Sequence, residues 1–351
     1  MPTITAEELK KKLDAGGQVI ILDVSEPFEY GDWHIPCAIN YPISRVMRNP
    51  EIEAPKDSEI IAVCAHGMRS AAAVRYLQAA GFENVYSMTG GMVEWNGVYD
   101  TIKINDKITQ VRRVGKGCLS YMISSDGEAV IIDPTIDVEF FTKLAEKSGC
   151  KIVAALDTHA HADHASGGRL IAKKLGVPYY APDEVGKAAS IKEGDEISAG
   201  SLTISVMSAP GHTPGSLIYK INRFVFTGDT LFVDAVGRPD LGQNPEDSAP
   251  ILYDTIQKLL AMPDETIVLP AHAEITGIKQ GLPVLESIEE LRELPLLKKS
   301  KDQFVTFMIE TRAPTPENFE IIKEYNTGKI VIDTLEEFRE LEAGANRCGV
   351  K

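Results

Sequence analysis

Three of the chain's seven histidines fall within six positions, in the string THAHADH that sets His159, His161 and His164 around Asp163. Chance rarely packs imidazoles so densely, and a fold that contains this string must bring their lone pairs to a common purpose. The string follows the apolar run IVAALD, which reads as a strand, so His159 and His161 are expected to point the same way on extended backbone. Asp163 and His164 are expected to project from the following turn toward a nearby point. Further along come His212 in APGHTPGS, Asp229 in FTGDTLF and His272 in LPAHA, each beside another short apolar run. Loops at strand ends are where an α/β scaffold places metal ligands. A lone histidine is better read as a hydrogen-bonded core residue, but a set of this size reads as a metal centre.

The text around the set changes character along the chain. Over residues 1–98 apolar β-type runs alternate with helical stretches: helix Ala6–Asp14, strand Val19–Val24, strand Ile60–Val63, helix Ser70–Ala80 and strand Val85–Met88. That order predicts a parallel α/β sheet. The polar stretch 99–107 reads as a linker. From 108 to about 300 short strands (Leu119–Ile123, Ala129–Ile132, Ile152–Leu156, Leu202–Val206, Phe224–Thr227, Thr266–Leu269) are interleaved with helices such as Val138–Ser148 and Ala165–Lys174. Residues 301–351, with Pro314, Pro316, a predicted helix Pro316–Tyr325 and an amphipathic stretch Thr334–Leu341, read as a tail packed on the second domain. A chain of 351 residues is long for one core, and two domains are expected.

A second chemical centre lies in the first domain. Cys64 follows the strand EIIAV and opens the loop CAHGMR, after which Ser70 reads as the N-cap of a helix ending at Gly81. A thiolate or persulfide there is favoured by unpaired helix amides and by Arg69, so Cys64 is expected to be acidic and nucleophilic. Gly67 lets the loop curl around the sulfur. Read alone, Cys64 is a small apolar residue closing a buried strand.

The loop resembles the C-x-x-G-x-R loop of the rhodanese family, built around one persulfide-carrying cysteine. The stretches LDVSEPFEY, HIPCAIN and LQAAGFENVYSMTGGMVEW resemble that family in order and spacing, with Ser25, Trp33 and Cys37 as departures. His34 and His66 read as structural or substrate-facing. The histidine set, from Asp133 in VIIDP to His272, resembles the metallo-β-lactamase motif series, which implies two β-sheets sandwiched between helices. The segments PGHTPGS, FTGDTLFVDAVGRPDL and PTPENFEIIKEYN resemble the persulfide dioxygenase family. That resemblance implies one Fe(II) per chain on His159, His212 and Asp229, a 2-His-1-carboxylate face with positions left open. It implies His161, Asp163, His164 and His272 as outer residues or a second metal position, and Arg238 as the partner of a substrate carboxylate. The implied reaction converts a thiol persulfide, such as glutathione persulfide, and O2 to sulfite and thiol, with Cys64 moving sulfur among thiosulfate, sulfite and thiol. A hydrolase resembling glyoxalase II, with two Zn ions and water as nucleophile, is the competing expectation.

The formal charge of −15 argues against nucleic acid or an anionic membrane as partner, and no run approaches the ~18 apolar residues of a membrane span. Five scattered cysteines form no disulfide or zinc-ribbon pattern, which predicts a reducing cytoplasm. Cys118 and Cys150 read as core, and Cys348 as an inert tail cysteine. The thiol, the direction of sulfur transfer and the formation of a homo-oligomer stay open at this level.

Overall fold

The computed structural model describes residues 1–241, 243–311, 315, 318–332 and 334–351. They divide into two compact units, the first formed mainly by residues 1–100 and the second by residues 101–112 and 117–342 with the last six residues.

In the first unit five strands lie edge to edge in the order Thr3–Ile4, Asn84–Met88, Glu59–Val63, Ile20–Asp23 and Ile39–Asn40, and every neighbouring pair is parallel. Alternation along Glu59–Val63 sends Ile61 and Val63 to one face, against Leu9, Met92 and Trp95, and Ile60 and Ala62 to the other, against Ala73, Val74 and Leu77. A parallel sheet needs apolar cover on both faces, which explains why its strands read as unbroken apolar runs. Helix Ala6–Asp14 has the predicted bounds and is fixed at its start by a capping box between Thr5 and Glu8.

The second unit holds two sheets face to face. The seven-stranded sheet runs Ala189–Ser190, Tyr179–Ala181, Lys151–Leu156, Glu128–Ile132, Cys118–Ser125, Ile108–Arg113, Tyr99–Lys103. The six-stranded sheet runs Glu196–Ala199, Leu202–Ser208, Leu217–Ile221, Phe224–Gly228, Ile267–Pro270, Glu286–Ser287. Between them Tyr121, Ile132, Leu156, Tyr219, Phe226 and Leu269 form one buried core. The period-2 pleat turns the alternate residues Val225 and Val268 outward, onto Leu252, Ile256 and Leu259 of helix Pro245–Leu260 and onto Phe304 and Met308 of helix Lys301–Glu310. Helices Val138–Lys147 and Gly168–Leu175 pack on the other sheet, completing the four layers.

Several elements differ from the sequence reading. The stretch expected as a linker contains the edge strand Tyr99–Lys103, whose polar residues suit an edge half open to water. Helix Pro245–Leu260 carries Pro250 inside it and a proline at its first turn, residues that disguise a helix in sequence. The expected helix Pro316–Tyr325 is helical over Phe319–Asn326; Pro316, like Pro314, lies outside the described residues. Ser70 is not the cap of its helix, which starts at Met68 after Gly67.

At Gly91, φ is +59° and an added Cβ would fall 2.0 Å from the Cys64 carbonyl oxygen. Gly91→Ala is therefore expected to destabilise the first unit by about 2 kcal/mol or more, combining the left-handed cost with displacement of the Cys64 loop. Urea unfolding followed on that unit's transition measures it; an unshifted midpoint would show that the loop yields freely.

Candidate metal centre

Cys64 sits where Glu59–Val63 ends, buried among the residues of the sheet's helix-covered face. Its Sγ accepts backbone N–H groups from Gly67 at 3.2 Å and Ser70 at 3.4 Å, and lies 3.7 Å from the Ser70 hydroxyl. Gly67, at φ +88°, makes the curl that turns these amides onto the sulfur. The geometry is a cradle for a charged sulfur. Arg69, expected to assist the thiolate, forks onto Glu29 of helix Pro27–Asp32 with bonds of 2.5 and 2.7 Å and also interacts with Cys64, so it braces the loop from beside the sulfur.

In the second unit the histidine string leaves strand Lys151–Leu156 and is fixed at once by its neighbours. The Asp133 carboxylate accepts from the Thr158 amide at 2.7 Å and from its hydroxyl at 3.0 Å. The Thr158 hydroxyl in turn meets His159 Nδ1 at 2.9 Å. Because that hydroxyl spends its proton on Asp133, Nδ1 of His159 carries the hydrogen and Nε2 is left as a lone pair. Nδ1 of His212 likewise donates to the Arg238 carbonyl at 2.8 Å, which frees its Nε2. Both Nε2 atoms face Asp229 Oδ2, at 3.7 and 3.6 Å. Donors sharing one ion at ~2.1 Å lie about 3.0–3.6 Å apart, so the three residues converge as ligands do. Asp229 Oδ2 and His159 Nε2 are buried without any hydrogen-bond partner, a cost that an ion would remove.

The other motif residues divide into two further groups. His161, expected to point with His159, turns its Nε2 to Asp133 Oδ1 at 3.2 Å and joins the buried pair Asp133 and Asp157. Asp163, His164 and His272 gather with Cys118. His272 links the clusters: its Nδ1 donates to Asp229 Oδ1 at 2.6 Å, while its Nε2 lies 2.8 Å from Asp163 Oδ2. Burial disfavours charge on each of these groups, but pairing prevails at Asp163, His164 and His272. Asp163 and Asp229 hold His272 above its ordinary pKa, and the histidines hold Asp163 below its own. Burial raises the Cys118 thiol, His164 and His272 lower it more, and it settles at about 7. Cys118, read from sequence as core, is buried as expected and also lies among these donors.

Arg238, expected to pair with a substrate carboxylate, has a carboxylate partner within the chain. It is buried, its guanidinium forks onto Asp240 at 2.6 and 2.8 Å, and it donates to the Arg347 carbonyl at 3.2 Å. A guanidinium spent on a bidentate partner and a carbonyl serves to hold the loop whose own carbonyl orients His212.

Glu184, Asn326 and Glu342 complete the scaffold, Asn326 being the last residue of the string PTPENFEIIKEYN. Glu184 accepts from the Ala160 amide at 3.2 Å and the Gly215 amide at 3.1 Å, and from the Thr213 hydroxyl, so it spans the loops of His159 and His212. Asn326 donates to the carbonyls of His161 at 2.8 Å and His164 at 2.9 Å and accepts from the Ser166 amide. Glu342 accepts from the Ala165 amide at 2.5 Å. Cys348, just before the strand Gly349–Val350 that pairs with Val236–Gly237, packs against Phe232 and Ala235 and stands close to Asp229 and His272. Burial raises its thiol well above the ordinary range.

A scaffold of two facing sheets between helices, with a buried histidine and aspartate centre at strand ends, defines a class, and family models agree with it. Residues 5–97 match the rhodanese-like domain, and residues 113–199 and 187–272 match the metallo-beta-lactamase superfamily. The persulfide dioxygenase ETHE1 of Bos taurus is 32% identical over 201 residues, 55% of this chain and 76% of that protein. A hydroxyacylglutathione hydrolase of Hamiltonella defensa is 37% identical over 155 residues, 43% of this chain and 60% of that protein. The crystal structure of ETHE1 from Myxococcus xanthus superposes with a TM-score of 0.56 at 26% identity, covering 66% of this chain and 99% of that one. The chain belongs to the persulfide dioxygenase family of the metallo-beta-lactamase superfamily and carries a rhodanese-like domain before it. Among the described residues no helix is long and apolar enough to cross a membrane.

Asn326→Leu removes two donors from buried carbonyls of the ligand loop. It is expected to cost of order 3 kcal/mol and to lower metal content at the same time. Thermal unfolding with metal analysis of the same samples checks this; full metal content at an unchanged melting temperature would remove Asn326 from the site's framework.

Proposed function

We propose that this chain oxidises a low-molecular-weight thiol persulfide, with glutathione persulfide the first candidate, at a single Fe(II) held by His159, His212 and Asp229. Persulfide, dioxygen and water become thiol, sulfite and two protons, a balance that needs no further oxidant. The iron would supply activation of O2 toward the outer sulfur, with positions open to both. Around it the chain's own groups hold the ligands still: Thr158 and the Arg238 carbonyl fix the two imidazole tautomers, and His272 grips the far oxygen of Asp229. The observation that carries this reading is the convergence of His159, His212 and Asp229 as a set of three that His161 does not join. A dinuclear zinc hydrolase would use His161 as a ligand too. The similarity to a hydroxyacylglutathione hydrolase keeps that second reading in view.

Cys64 would serve the same chemistry from the first unit. Its thiolate attacks the sulfane sulfur of thiosulfate, the S–S bond breaks and sulfite leaves with the electron pair. A small thiol then takes the sulfur from the Cys64 persulfide and restores the thiolate. The Gly67 and Ser70 amides stabilise both charged forms of the sulfur. The same steps run in reverse when sulfite is abundant.

Protein made with iron and zinc both available is expected to carry about one iron per chain and to consume O2 when given glutathione persulfide. Two zinc ions with thioester hydrolysis and no oxygen uptake would sink the proposal. Asp229→Ala removes the only anionic ligand and is expected to abolish uptake and strip the iron; retained iron would shift the carboxylate role to Asp163. Cys64→Ser is expected to abolish sulfur transfer from thiosulfate while oxygen uptake on supplied persulfide persists. Loss of both in a folded, iron-loaded variant would show that the two chemistries depend on one thiol.

A further inference from the structure

Against the Cys64 loop lies a pair of buried hydroxyls that the sulfur-transfer steps leave without a role. Ser70 and Ser87 are 0% and 2% exposed, and their oxygens stand 2.8 Å apart. Ser87 comes from strand Asn84–Met88, which pairs with the strand that ends before Cys64, and the period-2 pleat puts it on the face that Val85 shares with Cys64. We propose that Ser87 is a positioning residue for the chemistry of Cys64: it donates to Ser70, and so lets the Ser70 hydroxyl turn its proton onto the sulfur when the sulfur is charged.

The available donors and acceptors fix the arrangement. Among the described residues the Ser87 hydroxyl has the Ser70 oxygen as its partner, and a buried hydroxyl spends its proton, so Ser87 is the donor of the pair. The Ser70 proton then has two acceptors in reach, the Gly67 carbonyl at 3.0 Å and Cys64 Sγ at 3.7 Å. The Gly67 carbonyl already accepts the Ala71 amide at 3.0 Å, so it is not orphaned when Ser70 turns away. With Cys64 a neutral thiol, its S–H points at the Ser70 oxygen and the Ser70 proton rests on Gly67. With Cys64 a thiolate, rotation about the Ser70 Cβ–Oγ bond alone brings that proton to the sulfur, a third donor beside the Gly67 and Ser70 amides.

Ser87 matters in one of these states. In the thiol state the Ser70 oxygen takes a hydrogen from the sulfur as well as from Ser87. In the thiolate state the sulfur has none to give, and among the described residues Ser87 is the donor left to that sealed oxygen. Removing Ser87 therefore strands a buried acceptor only when the sulfur is charged, a loss that works against the thiolate and spares the thiol. The ionisable groups around this sulfur are elsewhere. Arg69 and the exposed His66 belong to its own loop and helix, and Glu29 and Asp23 both face Arg69 from the neighbouring helix and strand. Glu94 stands on helix Gly91–Trp95, whose Met92 amide donates to the Cys64 carbonyl, and Tyr86 packs on the opposite face of the sheet. Ser87→Ala changes none of them.

This role rests on Cys64 being the sulfur carrier of the proposed function, and the test separates the two. In the full chain Cys64 is alkylated with iodoacetamide over a pH series, and the modified peptide is quantified by mass spectrometry. Ser87→Ala is expected to move the midpoint of the rate profile up by about 1 pH unit, roughly a tenfold loss of thiolate below it, the size of one stranded acceptor. In a Ser70→Ala background the same change should add nothing, because Ser87 acts through that hydroxyl. An unmoved midpoint in Ser87→Ala, or an equal shift with and without the Ser70 hydroxyl, overturns the proposal. If the alanine variant does not fold, Ser87→Thr carries the test: it keeps the hydroxyl and should hold the wild-type midpoint, and a raised midpoint overturns the proposal. Sulfur transfer from thiosulfate to glutathione is assayed on the same samples. Its absence from the wild-type chain would remove the sulfur-carrier reading, while the alkylation profile still decides the role of Ser87.

Discussion

A buried carboxylate without a partner costs several kcal/mol, and the second unit buries Asp133, Asp157, Asp163 and Asp229 within one region. The structure answers by assigning each a cationic or donating neighbour: Thr158 and His161 for Asp133, Tyr179 for Asp157, His164 and His272 for Asp163, His272 for Asp229. Those pairings orient His161, His164 and His272, while the Thr158 hydroxyl, itself held by Asp133, and the Arg238 carbonyl orient His159 and His212. The candidate metal centre therefore depends on how the fold neutralises its own aspartates, and a change to one carboxylate alters the geometry of its neighbours.

Much of this was legible in the sequence, and the parts that were not share a cause. The apolar runs gave the strands because a sheet covered on its faces demands uninterrupted or alternating apolar residues, and the THAHADH string announced itself by density. Cys118 and Glu342 gave no such signal, and Asn326 stood at the end of the string PTPENFEIIKEYN without a sign of the contact it makes. Each acts through a contact with the histidine loop from far away in the chain, 160 residues between Ser166 and Asn326, and no local spacing encodes such a contact. Arg238 stands differently: Asp240, two residues on, holds its guanidinium, a fork that could have been weighed from the string GRPD itself.

The two units solve the problem of charge on sulfur and on metal with different means. Around Cys64 the stabilising groups are backbone amides, fixed by a glycine turn. Around the histidines they are side chains drawn from at least five segments, so that centre depends on tertiary packing in a way the cysteine loop does not. Heating or denaturant should accordingly disperse the metal ligands before it disturbs the amide cradle, because local hydrogen bonds survive the loss of distant contacts.

The contact between the Ala165 amide and Glu342 spans 177 residues. A ribosome adding about 5–20 residues per second needs roughly 9–35 s to cover that distance. For that interval a nascent chain displays the complete histidine string without the groups that brace it. Metal choice is then exposed to whichever ion the string meets first. A centre built this way gains its selectivity late, when the last helices arrive, and a cell that overproduces the chain while one ion is in excess would fill the site with that ion during synthesis.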